Sequence, residues 1–360
     1  MMRASITLTS PGRLGYSLDP ILPMSSDALR IAPRFAGICG TDLDIVRRTR
    51  VDMPSVLGHE VVASVIEGND YYHDTGIVVV NPVSETDQNR NFGHSIPGIW
   101  TQQRTITAQE IAEGHLSVWP SAEIGPESAL AEPVGASLYA RALMRLDSGN
   151  KAIVLILGSG GIALTMALVL IEDGHSVILS PSSTDHVSQL TEMFGGLPGL
   201  KIVPRASLNG SDLRVDTAAV MVSRGECHGA ILQALRIIKS GGIVNLLSSV
   251  TPDLSHACRR LSFANLAEIR WRNTRGIPAP GVYFYGEGPN GPYLVTGHRG
   301  TSARHIEAAM NLINANRGLF RRLISHVIPF EEAAGIVEAI ARNRAIRIDG
   351  RIVTKAVIAF

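Results

Sequence analysis

The sequence Leu157-Gly158-Ser159-Gly160-Gly161-Ile162-Ala163 lies in the middle of residues 152–171, an uncharged and mostly apolar run. Its length, about 20 residues, is that of a membrane span. The glycines interrupt it, however, and a buried strand, a tight turn and a buried helix explain it better, because a parallel strand covered on both faces reads as a continuous apolar stretch. We therefore predict a strand that ends at Leu157 and a helix that begins near Ile162.

The pattern around this run indicates the fold class. Between residues 142 and 250, strand-like runs alternate with helix-length segments, which is typical of βαβ units and a doubly wound parallel sheet. The predicted strands are 152–157, 176–179, 218–222 and 242–247, and the predicted helices are 162–172 and 229–239. Residues 272–292 are rich in Gly and Pro, which predicts an extended loop or a small insertion. Residues 293–296 are expected to return to the sheet.

The two ends of the chain have a different texture. Residues 1–141 contain short apolar runs separated by Gly, Asn, Asp and Pro, which favours a mostly β region with many turns. Near the other end, helical periodicity appears at 303–313 and 331–341. The tail, 346–360, is strand-like and is expected to pair back with the first region.

The composition excludes several functional classes. With 360 residues, the chain is long enough for two domains, and its 45% hydrophobic and 18% charged residues are ordinary for a globular protein. A net charge of +1 gives no electrostatic reason to bind nucleic acid or an anionic membrane. Three cysteines cannot form a disulfide framework, and no secretory signal is evident at the N-terminus. We therefore expect a cytoplasmic protein.

The glycine-rich segment also predicts a nucleotide site. It fits G-x-G-x-x-[G/A] and stands between a strand and a helix, as a dinucleotide-binding motif requires. Gly158 permits the tight turn, Gly160 lets the backbone approach a pyrophosphate, and Ala163 allows the helix to pack closely on the strand. The pyrophosphate is expected at the helix N-terminus, where Gly161 and Ile162 lie.

The end of the second strand distinguishes NAD from NADP. An acidic residue there would bind the ribose 2′-hydroxyl of NAD. This chain instead has small hydroxyl residues, Ser180 and Ser182, and no carboxylate before Asp185. These serines leave room for a 2′-phosphate, although no Arg stands nearby to bind it and His186 is no more than a candidate partner. We therefore favour NADP, with NAD as the alternative.

A second group of residues has the chemistry of a metal site. Metal-binding side chains occur in Gly37-Ile38-Cys39-Gly40-Thr41-Asp42 and in Gly58-His59-Glu60. Sulfur, imidazole and carboxylate ligands suit zinc, and a catalytic zinc needs only three protein ligands. A further carboxylate is available at Glu132, in Ala131-Glu132-Pro133. A third protein ligand is therefore available in the sequence.

These motifs, in this order and followed by the glycine loop at 158, resemble those of the zinc-dependent medium-chain dehydrogenases, the superfamily of alcohol, sorbitol, threonine and glucose dehydrogenases. The resemblance extends over nearly the whole chain. It implies a GroES-like catalytic domain, formed by residues 1–141 and 298–360, around a Rossmann domain at 142–297. It also implies a homodimer or a homotetramer.

The resemblance further implies roles for single residues. Cys39 and His59 match zinc ligands. Either Glu60 or Glu132 would be the third ligand, because relatives differ at this point, and we favour Glu132. Thr41 matches the hydroxyl that passes on the substrate proton, and Asp42 matches the partner of the His ligand. Elementary chemistry agrees with these roles, because an alcohol must lose its proton as hydride leaves, and because a carboxylate beside a ligating imidazole fixes its tautomer.

The chain departs from its relatives in two places. Residues 80–94 contain no cysteine where many relatives bind a structural zinc, so we predict one catalytic zinc and no structural one. We interpret His94 in this segment as a solvated loop residue. Asp44 stands where alcohol dehydrogenases often have a relay histidine, and sugar-oxidising relatives have an acidic residue near this point. Asp44 therefore favours a polyhydroxylated substrate, although a plain surface carboxylate is the alternative.

Taken together, the sequence predicts a zinc-dependent oxidoreductase that interconverts a secondary alcohol and a ketone with NAD(P). The expected substrate is a sugar, polyol, cyclitol or amino-cyclitol. One alternative is a zinc-free NADPH-dependent quinone or enoyl reductase of the same fold. Another is a non-catalytic nucleotide-binding protein.

Overall fold

A computed structural model describes residues 2–10, 12–50, 52–68, 72, 76–146, 149–247, 263–275, 281–343 and 347–360. Cys258 and the Gly/Pro-rich residues 276–280 lie outside this part. The chain divides into two compact units, which are Met1–Gly135 with Thr301–Phe360, and Ala136–Gly300.

The first unit is built on a seven-stranded sheet. Its strands are ordered β15-β18-β3-β4-β5-β7, and β6 pairs with β3 outside this path. The strands of this unit are β1 Met2–Ser10, β2 Arg13–Pro20, β3 Leu29–Gly37, β4 Glu60–Gly68, β5 Ile77–Val80, β6 Arg104–Ile106, β7 Leu116–Val118, β15 His326–Pro329, β16 Arg347–Ile348, β17 Arg351–Ile352 and β18 Ala356–Ala359. Strand β18 pairs antiparallel with β3, with Val357 opposite Gly37. The predicted return of the C-terminal tail to the first region is confirmed.

The second unit contains another seven-stranded sheet, ordered β10-β9-β8-β11-β12-β14-β13. Its strands are β8 Ile153–Leu157, β9 Ser176–Ser180, β10 Leu200–Ile202, β11 Val215–Val220, β12 Ile238–Leu246, β13 Phe284–Gly288 and β14 Gly291–Gly297. All neighbours are parallel except β13 and β14. The predicted fold class, a β-rich domain plus a doubly wound parallel sheet, is confirmed.

The helices follow the apolar periodicity of the sequence. They are α1 Gly40–Val46, α2 Ala108–Ala112, α3 Ala131–Leu143, α4 Gly161–Glu172, α5 Thr184–Phe194, α6 Cys227–Ile237, α7 Phe263–Arg272, α8 Ala303–Ala315, α9 Arg317–Arg321 and α10 Phe330–Arg342. Helix α4 is buried on all sides from Ala163 to Leu170, as the apolar run predicts. In the described part of the chain, no helix is both long enough and apolar enough to span a membrane.

Two local predictions are wrong. Helix α6 ends at Ile237, two residues earlier than predicted, because Ile238 begins β12. Residues 284–292, for which we predicted an extended loop or a small insertion, form most of the β13–β14 hairpin, so the extended loop is wrong there. Gly286 lies opposite Tyr293 in this hairpin, and a Cβ at Gly286 would overlap the Tyr293 ring. The glycine that suggested a loop thus makes room for a cross-strand aromatic ring.

Candidate metal and nucleotide sites

The segment that ends β3 and begins α1 presents Cys39. In this segment Gly37 pairs with Glu60 across β3 and β4, so the two strands lie close together at this point. A Cβ at Gly37 would overlap the Glu60 carboxylate, so this close approach needs a glycine. Cys39 is the N-cap residue of α1 and follows the carboxyl end of β3.

The second ligand segment places His59 immediately before β4. Gly58 has a φ of +93°, a conformation that favours glycine, and a Cβ there would overlap the buried Trp100 indole. Asp42, which is fully buried, connects the two segments. Its carboxylate accepts hydrogen bonds from the backbone N–H of Cys39 at 2.9 Å and of Gly58 at 3.3 Å.

Asp42 also faces the His59 ring, with 3.5 Å between Oδ1 of Asp42 and Nδ1 of His59. Burial raises the pKa of Asp42, but the neighbouring His59 and the Cys39 N–H outweigh it and lower the pKa. Burial likewise opposes the charge of His59, yet Asp42 raises the pKa of His59 well above its usual value. With Nδ1 directed at Asp42, Nε2 is the nitrogen of His59 that is available to a metal, which is how a carboxylate commonly orients a ligating imidazole.

Glu60 is held by a residue that the sequence did not single out. Lys355, just before β18, donates a hydrogen bond to Glu60 Oε2 and another to the carbonyl of Ile38 at 3.1 Å. Both side chains are buried, with 6% of Lys355 and 2% of Glu60 exposed. Burial opposes the charge of Lys355, but Glu60 and its acidic neighbours raise the pKa of Lys355. The sequence signal that could have identified this contact is the position of Lys355, directly before the apolar strand that pairs with the first region of the chain.

Glu132, near the start of α3, lies close to the same cluster. Burial and the charge of Glu60 raise its pKa to about 7, while His59 and Lys355 act in the opposite direction. Glu60 is buried and Glu132 is half-buried. Two neighbouring carboxyl groups in such surroundings cannot both ionise without a large free-energy cost, and Lys355 pairs with only one of them. Glu132 is therefore the carboxyl group that lacks its own compensating charge.

The cluster fits a zinc ion in the type and spacing of its donors. The ligand atoms of Cys39, His59 and Glu60 all lie within 4.8 Å of one another, and no other such group was found among the described residues. Thiolate, imidazole and carboxylate are the donors that zinc prefers. Cys227, by contrast, is buried in the second unit, and burial raises the pKa of its thiol to about 11.

The remaining predicted residues of this site lie on α1. Thr41 and Asp44 are both half-buried and are three positions apart, so they share one face of the helix. Asp42 lies on another face and is directed at the ligand segments. The structure thus brings together Cys39, Asp42, His59 and Glu60, with Glu132 nearby.

The interpretation of His94 as a solvated residue is wrong. Only 12% of its side chain is exposed. Its ring lies against the ring of His59, with 5.0 Å between the ring centroids and an angle of 43°. Burial lowers the pKa of His94, although Asp52 acts in the opposite direction. No local pattern predicts this contact, because 35 positions separate the two histidines.

In the second unit, the glycine loop has the predicted strand–turn–helix context. Gly158 has a φ of +139°, and a Cβ there would overlap the backbone carbonyl of Met221. Gly160 precedes the first residue of α4, and a Cβ at Gly160 would meet nothing within 4 Å. The backbone N–H groups at Gly161 and Ile162 begin α4, where an anion is favoured. The open space over Gly160 fits the pyrophosphate of a dinucleotide.

The two predicted cofactor serines differ in their surroundings. Ser180 ends β9 and is fully buried, whereas Ser182 is exposed. Beside them, the Ser159 hydroxyl and Nδ1 of His186 lie 2.9 Å apart in a hydrogen bond, which connects the glycine loop with α5. Ser182 is therefore the serine that is accessible to a ligand, and His186 lies at the loop.

Known proteins share this architecture. Residues 25–114 match the alcohol dehydrogenase GroES-like domain family. No sequence among the curated proteins matches the chain.

Among solved structures, L-idonate 5-dehydrogenase of Escherichia coli K-12 is 16% identical, with a TM-score of 0.73, over 100% of this chain and 99% of its own. 2R,3R-butanediol dehydrogenase of Bacillus subtilis is 16% identical, with a TM-score of 0.72, over 99% of both chains. Acetophenone reductase of Geotrichum candidum NBRC 4597, in complex with NAD, is 17% identical, with a TM-score of 0.71, over 100% of this chain and 97% of its own. The predicted resemblance thus agrees with a domain-family match at residues 25–114 and with the fold that the chain shares with these structures.

Proposed function

We propose that this protein is a zinc-dependent oxidoreductase that interconverts a secondary alcohol and a ketone by hydride transfer with NAD(P). The observation that carries the proposal is the cluster of Cys39, His59 and Glu60, with buried Asp42 at Nδ1 of His59. A quinone or enoyl reductase without zinc has no need of this donor set. The same reaction class is supported by three structures with this fold, which are named as a butanediol dehydrogenase, an L-idonate 5-dehydrogenase and an acetophenone reductase.

Cys39, His59 and one carboxylate would hold the metal. Zinc, when bound, supplies a Lewis acid that favours loss of the alcohol proton. Glu60 has a ligand atom within 4.8 Å of those of Cys39 and His59, but it is also paired with Lys355. Glu132 has no such ion pair in the described part of the chain, so we propose Glu132 as the third ligand and Glu60 as the alternative. Asp42 fixes the tautomer of His59, so that Nε2 stays free for coordination.

The other residues of the cluster would handle the proton and the substrate. Thr41 lies two positions after Cys39 and carries a hydroxyl, which can accept the alcohol proton and donate its own outward. Asp44 shares a helix face with Thr41, so we propose it as the next acceptor or as a partner of a second substrate hydroxyl. This second hydroxyl is the basis for proposing a sugar, polyol, cyclitol or amino-cyclitol as substrate.

The glycine loop would bind the cofactor through its backbone. Gly158 and Gly160 let the pyrophosphate approach α4, whose N-terminal N–H groups at Gly161 and Ile162 favour an anion. We propose NADP over NAD, because Ser182 is exposed where an acidic residue would select NAD and His186 is nearby. A clearly higher kcat/KM with NAD(H) than with NADP(H) would overturn this preference.

The experiment is a metal analysis combined with a substrate panel. Sugars, inositols, amino-cyclitols, threonine and simple alcohols are each assayed with NAD and with NADP after zinc loading. The variant Cys39→Ser is compared with Cys227→Ala, which removes a thiol from the core of the second unit. We expect C39S to lose zinc and turnover and C227A to keep both. Full activity of C39S without metal would favour the zinc-free reductase, and cofactor binding with no turnover on any substrate would favour the non-catalytic protein.

A further inference from the structure

The segment that carries His94 is joined by backbone hydrogen bonds to the segment that leads into His59. We call residues 84–100 the lobe. The N–H groups of Gly98, Ile99 and Trp100 bond to the carbonyls of Val56, Gly58 and Leu57, at 2.7, 3.0 and 2.9 Å. The lobe and the ligand segment therefore form one hydrogen-bonded unit.

A close approach at Gly93 strengthens this connection. A Cβ at Gly93 would lie 3.2 Å from the backbone N and O of Gly58, which is tighter than ordinary van der Waals contact. Gly93 also has a φ of +72°. Because Gly93 and Gly58 each precede a histidine, this backbone contact sets His94 beside His59.

The lobe itself is ordered by polar contacts between its own residues. The Ser84 hydroxyl accepts from the N–H groups of Thr86 and Asp87, at 3.2 and 3.0 Å. The Ser95 hydroxyl accepts from the N–H of Asn91 at 2.9 Å and donates to the carbonyl of Asn89 at 2.5 Å. Hydrogen bonds thus shape the segment that presents His94.

The His94 ring has a second contact, with Asp52, which is itself bound by Arg50. Its Nδ1 lies 3.9 Å from Oδ1 of Asp52, and Nε of Arg50 donates to Oδ2 of Asp52 at 2.7 Å. The His94 ring thus has Asp52 on one side and the His59 ring on the other, 5.0 Å away between centroids. A ring that is buried and held in this way can form a rigid packing surface for a neighbouring side chain.

A packing contact of this kind can fix the orientation of the His59 ring. Asp42 contacts the ring at Nδ1, and a contact at one atom does not by itself fix the tilt of the ring about that atom. A second ring against its face restricts this tilt. We infer that His94 is a positioning residue: the packing of the His94 ring holds His59 in the orientation that metal binding requires. This inference rests on the proposed zinc site.

The test is metal affinity of the full chain. The protein is demetallated, and Zn²⁺ affinity is measured by competition with a chromophoric chelator. Co²⁺ is then added, and its visible absorption reports the symmetry of the site. The variants are His94→Ala and His94→Phe, and His228→Ala in the second unit is the control for loss of a histidine elsewhere.

We expect H94A to bind Zn²⁺ about 10- to 100-fold more weakly, as is usual when a group that orients a ligand is lost. H94F keeps a flat ring, so it should retain the parent's affinity and Co²⁺ spectrum, and H228A should do the same. Thermal unfolding of the metal-free proteins shows whether each variant folds. If H94A does not fold, His94→Leu replaces it, and it should bind Zn²⁺ more weakly than H94F.

Two results would overturn the inference. If H94A binds Zn²⁺ as tightly as the parent, His94 does not position the ligand. If H94F binds as weakly as H94A, a ring nitrogen matters and ring packing is not the cause. A parent protein that binds neither Zn²⁺ nor Co²⁺ would instead refute the proposed function, and the inference with it.

Discussion

In the metal cluster, buried charged side chains face one another, whereas the nucleotide loop offers glycine backbone and open space. Asp42, His59, Glu60 and Lys355 are all buried, so each charge depends on its neighbour. Gly158 and Gly160 carry no charge, and the first is fixed by a close approach to another strand's end. Substitutions in the two sites should therefore act for different reasons, electrostatic in the metal cluster and steric in the nucleotide loop.

The largest effect should come from removing one buried charge of the metal cluster. Lys355→Met leaves Glu60 buried and without its partner, and breaking a buried ion pair in this way costs about 3–5 kcal/mol. We expect this loss in the free energy of unfolding, measured with urea on the metal-free protein. The control is Lys239→Met, whose partner Asp216 is 38% exposed, and which should cost about 0–1 kcal/mol.

A double variant separates charge from packing. Glu60→Met combined with K355M removes both charges, and apolar replacement of a buried pair is often close to neutral. The double variant should therefore be more stable than K355M alone. If the two are equally unstable, Lys355 supports the fold by packing rather than by charge.

A smaller effect concerns the pH dependence of the metal-free protein. The pKa of Glu132 is raised to about 7 from its ordinary value near 4.5, so the folded state holds a proton that the unfolded state releases earlier. The resulting stability is complete below pH 4.5 and is lost as the pH rises through 7. The shift corresponds to roughly 3 kcal/mol.

Glu132→Gln is the variant that isolates this contribution. Denaturant unfolding between pH 4.5 and 8 should show a flatter pH profile for E132Q than for the parent. Identical profiles would mean that Glu132 is not the group responsible.

The smallest effect should come from the nucleotide loop. Gly158→Ala introduces a Cβ at a φ of +139°, where non-glycine residues cost about 1–3 kcal/mol, and sets it against the Met221 carbonyl. Gly160→Ala has room for its Cβ and should leave the stability unchanged. It should nevertheless weaken the binding of NADP(H), because the Cβ occupies the space proposed for the pyrophosphate.

These two glycine variants are compared by urea unfolding and by fluorescence titration with NADPH. G158A should lower both stability and affinity, and G160A only the affinity. Unchanged NADPH binding by G160A would argue against a pyrophosphate over this loop.

Local patterns predicted much of the fold because they act over a few residues. The apolar run at 152–171 gave both β8 and α4, since a covered strand and a covered helix need no polar face. The prediction failed at 284–292, because the role of Gly286 depends on Tyr293 across the hairpin. A glycine in a loop and a glycine beneath an aromatic ring look alike along the sequence.

The candidate site shows the same division. Two motifs that lie close together in the sequence contain Cys39, Asp42, His59 and Glu60. The metal-binding chemistry of this group could therefore be predicted from the sequence. Helix α5 was not predicted, although its His186 lies at the glycine loop. Lys355 and His94 could not be assigned, because their contacts depend on which strands pair and how the lobe folds.

The types of chemical group in the two sites can be read from the sequence: a thiolate–imidazole–carboxylate set, and a glycine loop between an apolar strand and an apolar helix. These follow from side-chain chemistry and from local backbone freedom. The partners of these groups, in contrast, are known only from the tertiary structure. It paired Glu60 with Lys355 from the far end of the chain and set His94 against His59, because a buried charge or ring takes its properties from neighbours that are distant in sequence.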